Sequence, residues 1–251
     1  MRQAVFSDVH GNLSALQAVL ADIDAEAVDQ IVFAGDLCLF GPRPAACVDR
    51  LRDINCVSIY GNTDDFLLGR QTPPDRHADL ARWTHDQLDQ SQRDWLDELP
   101  FARSVSPQTA GEDSLLIVHA NPLDVNQINF PPEEEQIARY GRVRQADEEL
   151  DELLAGVEVK NVVFGHLHIP FIRTIRSIKL FNISSVSMPG DGDPRAKYGL
   201  FTWQDGAWTF ERKYVPFDIA PEVAAFEANQ PPGWQFYVDT INAEGAFPQK
   251  V

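Results

Sequence analysis

Three short apolar runs near the start of the chain each stop on a polar side chain: AVF runs into Asp8 and His10, QIVFA into Gly35-Asp36, and VSIY into Gly61-Asn62. Between the first two, Leu13, Leu16, Val19, Leu20 and Ile23 recur at helical spacing. Between the second and third, residues 43–53 form a short helix with Val48 and Leu51 facing inward. A β-α-β-α-β start of this kind demands a sheet built through crossover helices. Carboxylates and imidazoles at the mouth of such a sheet are costly to bury unless something pairs with them.

Downstream, residues 75–99 read as helical, with Ser91 as an N-cap and Pro100 past the end. SLLIVHA and NVVFGHLH are two further strands, each ending on histidine, and the acidic stretch 132–155 between them reads as helix. Beyond 171 the texture changes to short strands, and QDG before AWTFERKYV marks a hairpin. From 218 a short helix precedes the turn-rich NQPPGW. No linker divides the chain, so residues 1–215 are assigned to one domain and 216–251 to a C-terminal extension packed on it.

The net charge of −17 repels nucleic-acid backbone and anionic lipid, which excludes general binding to either. A phosphate ligand then requires local positive charge, which a bound metal supplies. Cys38, Cys47 and Cys56 are an odd set without a CxxC pair, as expected in a reducing cytosol. No apolar run approaches the roughly 20 residues that span a bilayer. With the first strand starting at Arg2 there is no room for a signal peptide, and a cytoplasmic location is expected.

Strand C-termini in an open α/β sheet gather at one edge, where ligands bind. That edge collects Asp8, His10, Asp36, Asn62, His119, His166 and His168. Singly, each is commonly a helix cap, a turn residue or a satisfied core histidine; in this order at strand ends they point to a metal site. Glycines 35, 61 and 165 precede three of them and let the backbone turn sharply. Mixed Asp, His and Asn donors suit Mn, Fe, Ni, Co or Zn better than calcium. Asn12 is expected to cap the first helix. Trp83 and Trp95 belong to the core, and His77 and His85 to an exposed helical region away from the motifs.

FSDVHGN, FAGDLCLFGP, YGNTD, IVHA and FGHLHIPF, in that order, resemble the calcineurin-like metallophosphoesterases, and within them the small bacterial phosphodiesterases. The resemblance covers about residues 2–203. It implies an α/β fold, a four-layer α/β/β/α sandwich of mixed sheets flanked by helices. It also implies two divalent ions (Mn, Fe, Ni, Co or Zn), one held by Asp8, His10, Asp36 and His168, the other by Asp36, Asn62, His119 and His166. Asp36 would bridge the ions, and a hydroxide between them would attack a small-molecule phosphoester in line.

Two departures stand out. The family commonly reads GNHD where this chain has Gly61-Asn62-Thr63-Asp64, and its histidine protonates the leaving group or grips the phosphate. Thr63 occupies that catalytic position with a hydroxyl that donates a hydrogen bond but is no acid near pH 7. Relatives read Asn-Pro-Gly-Ser-Val where this chain has Ile183 and Ser184 for Pro and Gly. Asn62 and Arg195 are candidates for touching the substrate phosphate, Arg195 through a two-pronged guanidinium; its alternative is surface pairing with Asp191 or Asp193. The expected activity is phosphodiester hydrolysis. The alternatives are a nucleotide phosphatase or pyrophosphohydrolase, or a catalytically weak scaffold relative, and a homo-oligomer is compatible with either.

Overall fold

The computed structural model describes residues 1–107, 111 and 113–242. Its strands are β1 (Arg2–Phe6), β2 (Gln30–Ala34), β3 (Val57–Ile59), β4 (Ala102–Val105), β5 (Leu115–Val118), β6 (Asn161–Phe164), β7 (Phe171–Ile175), β8 (Ile178–Asn182), β9 (Ala196–Gln204) and β10 (Ala207–Val215). Its helices are α1 (Leu13–Ala25), α2 (Pro44–Asp53), α3 (Asn62–Leu67), α4 (Asp75–Asp86), α5 (Gln90–Asp97), α6 (Glu133–Tyr140), α7 (Asp147–Leu153), α8 (Ala220–Asn229) and α9 (Trp234–Asn242).

The strands form two mixed sheets, ordered β10-β9-β1-β2-β3 and β4-β5-β6-β8-β7. Parallel pairing of β1 with β2, β2 with β3, and β5 with β6 turns their C-termini toward one edge of each sheet. Successive side chains of a strand point to opposite faces, so strands buried on both sides read as unbroken apolar runs. Phe6 and Phe33 join the α1 and α2 residues Leu16, Val19, Ile23 and Leu51 in one core layer. Their neighbours Val5 and Val32 face inward, meeting Ile117, Val163, Phe181 and Phe201 between the sheets. Val162 and Leu180 turn the other way, onto Leu150 and Leu154 at α7. Helix, sheet, sheet and helix thus stack around three apolar layers, the sandwich that the resemblance implies.

Several local expectations change. The 75–99 region is two helices, broken at 87–89. Asp89, not Ser91, caps the second: its carboxylate accepts from Gln92 N at 2.8 Å while the Gln92 side chain accepts from Asp89 N at 3.0 Å. The chain breaks at Gln87-Leu88-Asp89 because the reciprocal cap satisfies the amides that a continuous helix would bond internally. The acidic 132–155 stretch also splits, with Gly141 in the left-handed conformation (φ 72°) ending α6. Strand β4 and helices α3 and α9 are additions, too short or too weakly patterned to register. Asn12 caps α1 as expected, accepting from Ala15 N at 2.9 Å. Asp205 (φ 53°) and Gly206 (φ 79°) close the β9–β10 hairpin. Trp83 and Trp95 lie at the margin of the first core layer, half-buried.

Helices α8 and α9 pack on each other and on the α1 face, and residues 243–251 of the expected extension fall outside the described residues. No described helix is long and apolar enough to cross a membrane. Replacing Asp89 by Ala removes the carboxylate half of the α5 cap and leaves the half donated by its backbone N–H to Gln92. Thermal denaturation should show a loss of about 1 kcal/mol and a melting point lower by about 2–4 °C.

Candidate metal centre

The loops that leave β1, β2, β3, β5 and β6 meet at one edge of the sandwich and are tied together by backbone hydrogen bonds. Asp8 N donates to Gly35 O (3.0 Å), His10 N to Asp36 O (3.1 Å), and Gly165 N to His119 O (3.0 Å). The β8–β9 loop closes over them, with Val186 N donating to Ser7 O and Ser187 N to Asp8 O. His166 N donates to Asp8 Oδ2 at 3.0 Å, joining a loop of the second sheet to a carboxylate of the first. Side chains separated by 160 positions therefore share one site.

Five of the seven candidate residues take left-handed backbone: Asp8 (φ 59°), His10 (49°), Asp36 (64°), His166 (62°) and His168 (61°). Asp and His enter this region more readily than most residues, yet each still costs about 1 kcal/mol. At Gly61 and Gly165 the reason for glycine is space. A Cβ at 61 would collide with Asp36 Oδ1, and one at 165 with Asp8 Oδ2 and Ser7 Oγ.

The histidines are oriented from behind by backbone carbonyls. Nδ1 of His10 lies 3.0 Å from Leu39 O, Nδ1 of His119 2.9 Å from Ala34 O, and Nδ1 of His168 2.8 Å from Met188 O. A carbonyl only accepts, so each Nδ1 carries the proton and each Nε2 is left facing the site with a lone pair. These nitrogens then meet other acceptors. His10 Nε2 is 3.3 Å from His168 Nε2, which is 3.0 Å from Asp8 Oδ1. His119 Nε2 is 3.1 Å from Asn62 Oδ1 and 3.2 Å from His166 Nδ1. Asp36 Oδ2 lies between the two groups, 3.8 Å from His10 Nε2 and 3.4 Å from His119 Nε2.

Converging lone pairs repel unless a proton or a cation sits among them. Asp8 and Asp36 are buried, and among the described ion pairs their partners are histidines alone, with no Lys or Arg. Ligand atoms of Asp8, His10 and His168 lie within 4.8 Å of one another, as do those of Asp8, Asp36 and His119. Buried, oriented and anionic, this donor set fits divalent cations. The carboxyls and His119 show the same demand for positive charge in their titration. Burial works against charge on both carboxyls, but His168 beside Asp8 and His119 beside Asp36 hold them below the usual range. Burial pushes His10 down to about 4, and burial together with His119 does the same to His166. His119, despite its burial, is raised to about 9 by Asp36.

Asp64 accepts from the backbone N–H of Asp36 (2.9 Å), Leu37 (3.1 Å) and Gly61 (2.8 Å). It ties the β2 and β3 loops under Asp36. Thr63 N donates to Asp36 Oδ1 at 2.9 Å, and the Thr63 hydroxyl is buried without a hydrogen-bond partner. Ser184, where the resemblance implies glycine, adopts φ 71° and donates from Oγ to His168 O at 2.7 Å. Arg195 is taken up by Asp193 (Nε to Oδ1, 3.0 Å) and lies 4.7 Å over the Tyr214 ring, which is the surface pairing weighed against a phosphate contact. Lys197 is buried on Asp191 at 3.0 Å.

His77 departs from expectation. It is half-buried, and its ring stands edge-on to Phe40 at 5.0 Å, while Phe40 in turn lies 5.1 Å from the His10 ring. The carbonyls of Leu39, Ala34 and Met188 left no signal in the sequence because any residue type offers a carbonyl, and Ser185, whose Oγ donates to Asp8 O at 3.0 Å, reads as one loop serine among several.

An uncharacterised protein of Methanocaldococcus jannaschii is 28% identical over 251 residues, covering 92% of this chain and 94% of its own. The crystal structure of a metallophosphoesterase from Sphaerobacter thermophilus matches with a TM-score of 0.73 at 26% identity, covering 97% of this chain and 99% of that one. A hypothetical protein from Pyrococcus horikoshii shares the fold at a TM-score of 0.77 and 15% identity, over 96% and 97% of the two chains. The model of the calcineurin-like phosphoesterase superfamily domain matches residues 1–206, a span that contains every loop at the gathered edge, and the chain belongs to that superfamily.

Proposed function

We propose that the chain is a metal-dependent phosphodiesterase with a dinuclear centre. The observation that carries this reading is the convergence around Asp36 of two buried carboxylates, the Asn62 amide oxygen and histidine ring nitrogens, with no Lys or Arg among the described ion-pair partners of Asp8 and Asp36. Asp8, His10, Asp36 and His168 would hold one divalent ion, and Asp36, Asn62, His119 and His166 the other. Two such ions supply Lewis acidity to the phosphoryl group and lower the pKa of an attacking water.

The residues of the chain do the rest. Backbone carbonyls keep the ring nitrogens aimed inward, and Asp64 holds the Asp36 and Gly61 backbones in register. The buried Thr63 hydroxyl is available to donate a hydrogen bond to a substrate oxygen, but it delivers no proton near pH 7. A leaving group must then depart largely unaided, which favours diesters of acidic alcohols or phenols over alkyl monoesters. Loss of a positioned acid costs on the order of 10²–10⁴ in rate, most for poor leaving groups.

The purified chain should take up two equivalents of Mn or Ni and hydrolyse an aryl phosphodiester faster than an alkyl phosphomonoester. The reverse preference overturns the diesterase assignment. Asp36→Ala should abolish both metal uptake, read by elemental analysis, and turnover. Gly61→Ala should lower metal content in the same assay, because the added methyl displaces the Asp36 carboxylate. Thr63→His should raise alkyl monoester hydrolysis by about 10²-fold in steady-state kinetics.

A further inference from the structure

The loop Leu39–Arg43, between β2 and α2, wraps His10. The Leu39 carbonyl receives His10 Nδ1, and the Phe40 ring lies 5.1 Å from the His10 ring. Gly41 packs so tightly on the His10 carbonyl and on Gly11 that a Cβ there would collide with both. Phe40 itself sits at φ 87°, a region a bulky aromatic residue enters only under strain. Such strain persists only where surrounding contacts over-determine it.

Those contacts come from α8 and α9. Asn229 Nδ2 donates to Pro42 O at 2.9 Å. Arg43 pairs with the buried carboxylate of Glu222, which also accepts from Ser14 N at 3.2 Å, and Arg43 Nη2 donates to Ser14 Oγ at 2.7 Å. The Tyr237 ring lies 5.9 Å from Phe40 and stacks on buried Phe226, with 6.0 Å between centroids and planes within 7°. His10, Phe40, Phe226 and Tyr237 line one small cavity. The family model matches residues 1–206, so Glu222, Phe226, Asn229 and Tyr237 lie outside the matched span.

We propose that the α8–α9 extension is a brace for the Leu39–Arg43 loop, and that Tyr237 and Asn229 are positioning residues acting on His10 through Phe40 and Pro42. This rests on the dinuclear reading above and assigns the extension a task within it: setting the affinity of the ion held by Asp8, His10, Asp36 and His168. The other ion answers to different supports, since His119 is held by Ala34 O, and none of the described hydrogen bonds of Asn62, His119 or His166 involves α8 or α9. The extension therefore acts on one ion and spares the other.

The test is calorimetric titration of the full chain with Mn(II), using His168→Ala and His119→Ala to identify which binding event belongs to which site. Tyr237→Ala and the milder Asn229→Ala, an exposed position that keeps the test open if the first variant folds poorly, should weaken the site lost in His168→Ala by about 10–100-fold. The site lost in His119→Ala should stay within about twofold of wild type. Tyr237→Phe, which keeps the ring, should restore the wild-type titration. Unchanged affinity at both sites, or equal weakening of both as general loosening would give, overturns the brace while leaving the metal reading intact. A wild-type chain that takes up no Mn brings down the metal reading and the brace with it.

Discussion

Three backbone carbonyls, those of Leu39, Ala34 and Met188, each claim the Nδ1 proton of a histidine and leave its Nε2 turned toward acceptors of neighbouring loops. This arrangement organises the rest of the molecule. With two buried carboxylates added and no Lys or Arg among their described partners, it demands positive charge that protons on the histidines or a cation must supply. Five of the contributing residues also hold left-handed backbone, at about 1 kcal/mol each, so the strain is comparable to the 5–15 kcal/mol by which a domain is stable at all. The three apolar layers have to supply the surplus, and a cation among the lone pairs would meet the demand for charge.

The two-sheet architecture explains how donors so far apart in sequence meet. Parallel pairing makes β1, β2 and β3 end together, and β5 and β6 end together in the facing sheet. Packing Val5, Val32, Val163 and Phe201 between the sheets brings the two sets of ends to one edge. The β8–β9 loop then crosses from the second sheet back to the first and supplies the Met188 carbonyl and the Ser185 hydroxyl that lock His168 and Asp8. Ser184 shows how a departure from the family pattern is absorbed. It takes the left-handed backbone suited to glycine, and its hydroxyl gains a hydrogen bond to the His168 carbonyl.

Thr63 is a departure of the opposite kind, for its hydroxyl is buried with no partner of its own. Buried polar groups are rarely left so unless strain, a solvent molecule or a ligand is involved. The backbone amide of the same residue is fully used, holding Asp36. The position thus keeps its structural task with the family's imidazole replaced by a hydroxyl, and the chemistry expected of the site narrows accordingly.

Much of this was legible in the sequence because it depends on local pattern. Apolar runs ending on Asp, His and Asn, helical spacing after HGN, and glycines before the donors set the strands, the first two helices and the membership of the gathered edge, since periodicity and turn chemistry act over a few residues. The break at Asp89 was missed because a capping box competes with helical periodicity over the same stretch. The carbonyl supports, the left-handed backbone at the donors, the nearness of His77 to His10 by way of Phe40, and the docking of α8 and α9 against Pro42 and Arg43 were settled by tertiary structure alone. A carbonyl has no residue identity, and a contact across 187 positions, like that of Asn229 with Pro42, exists only once packing has brought the two segments together.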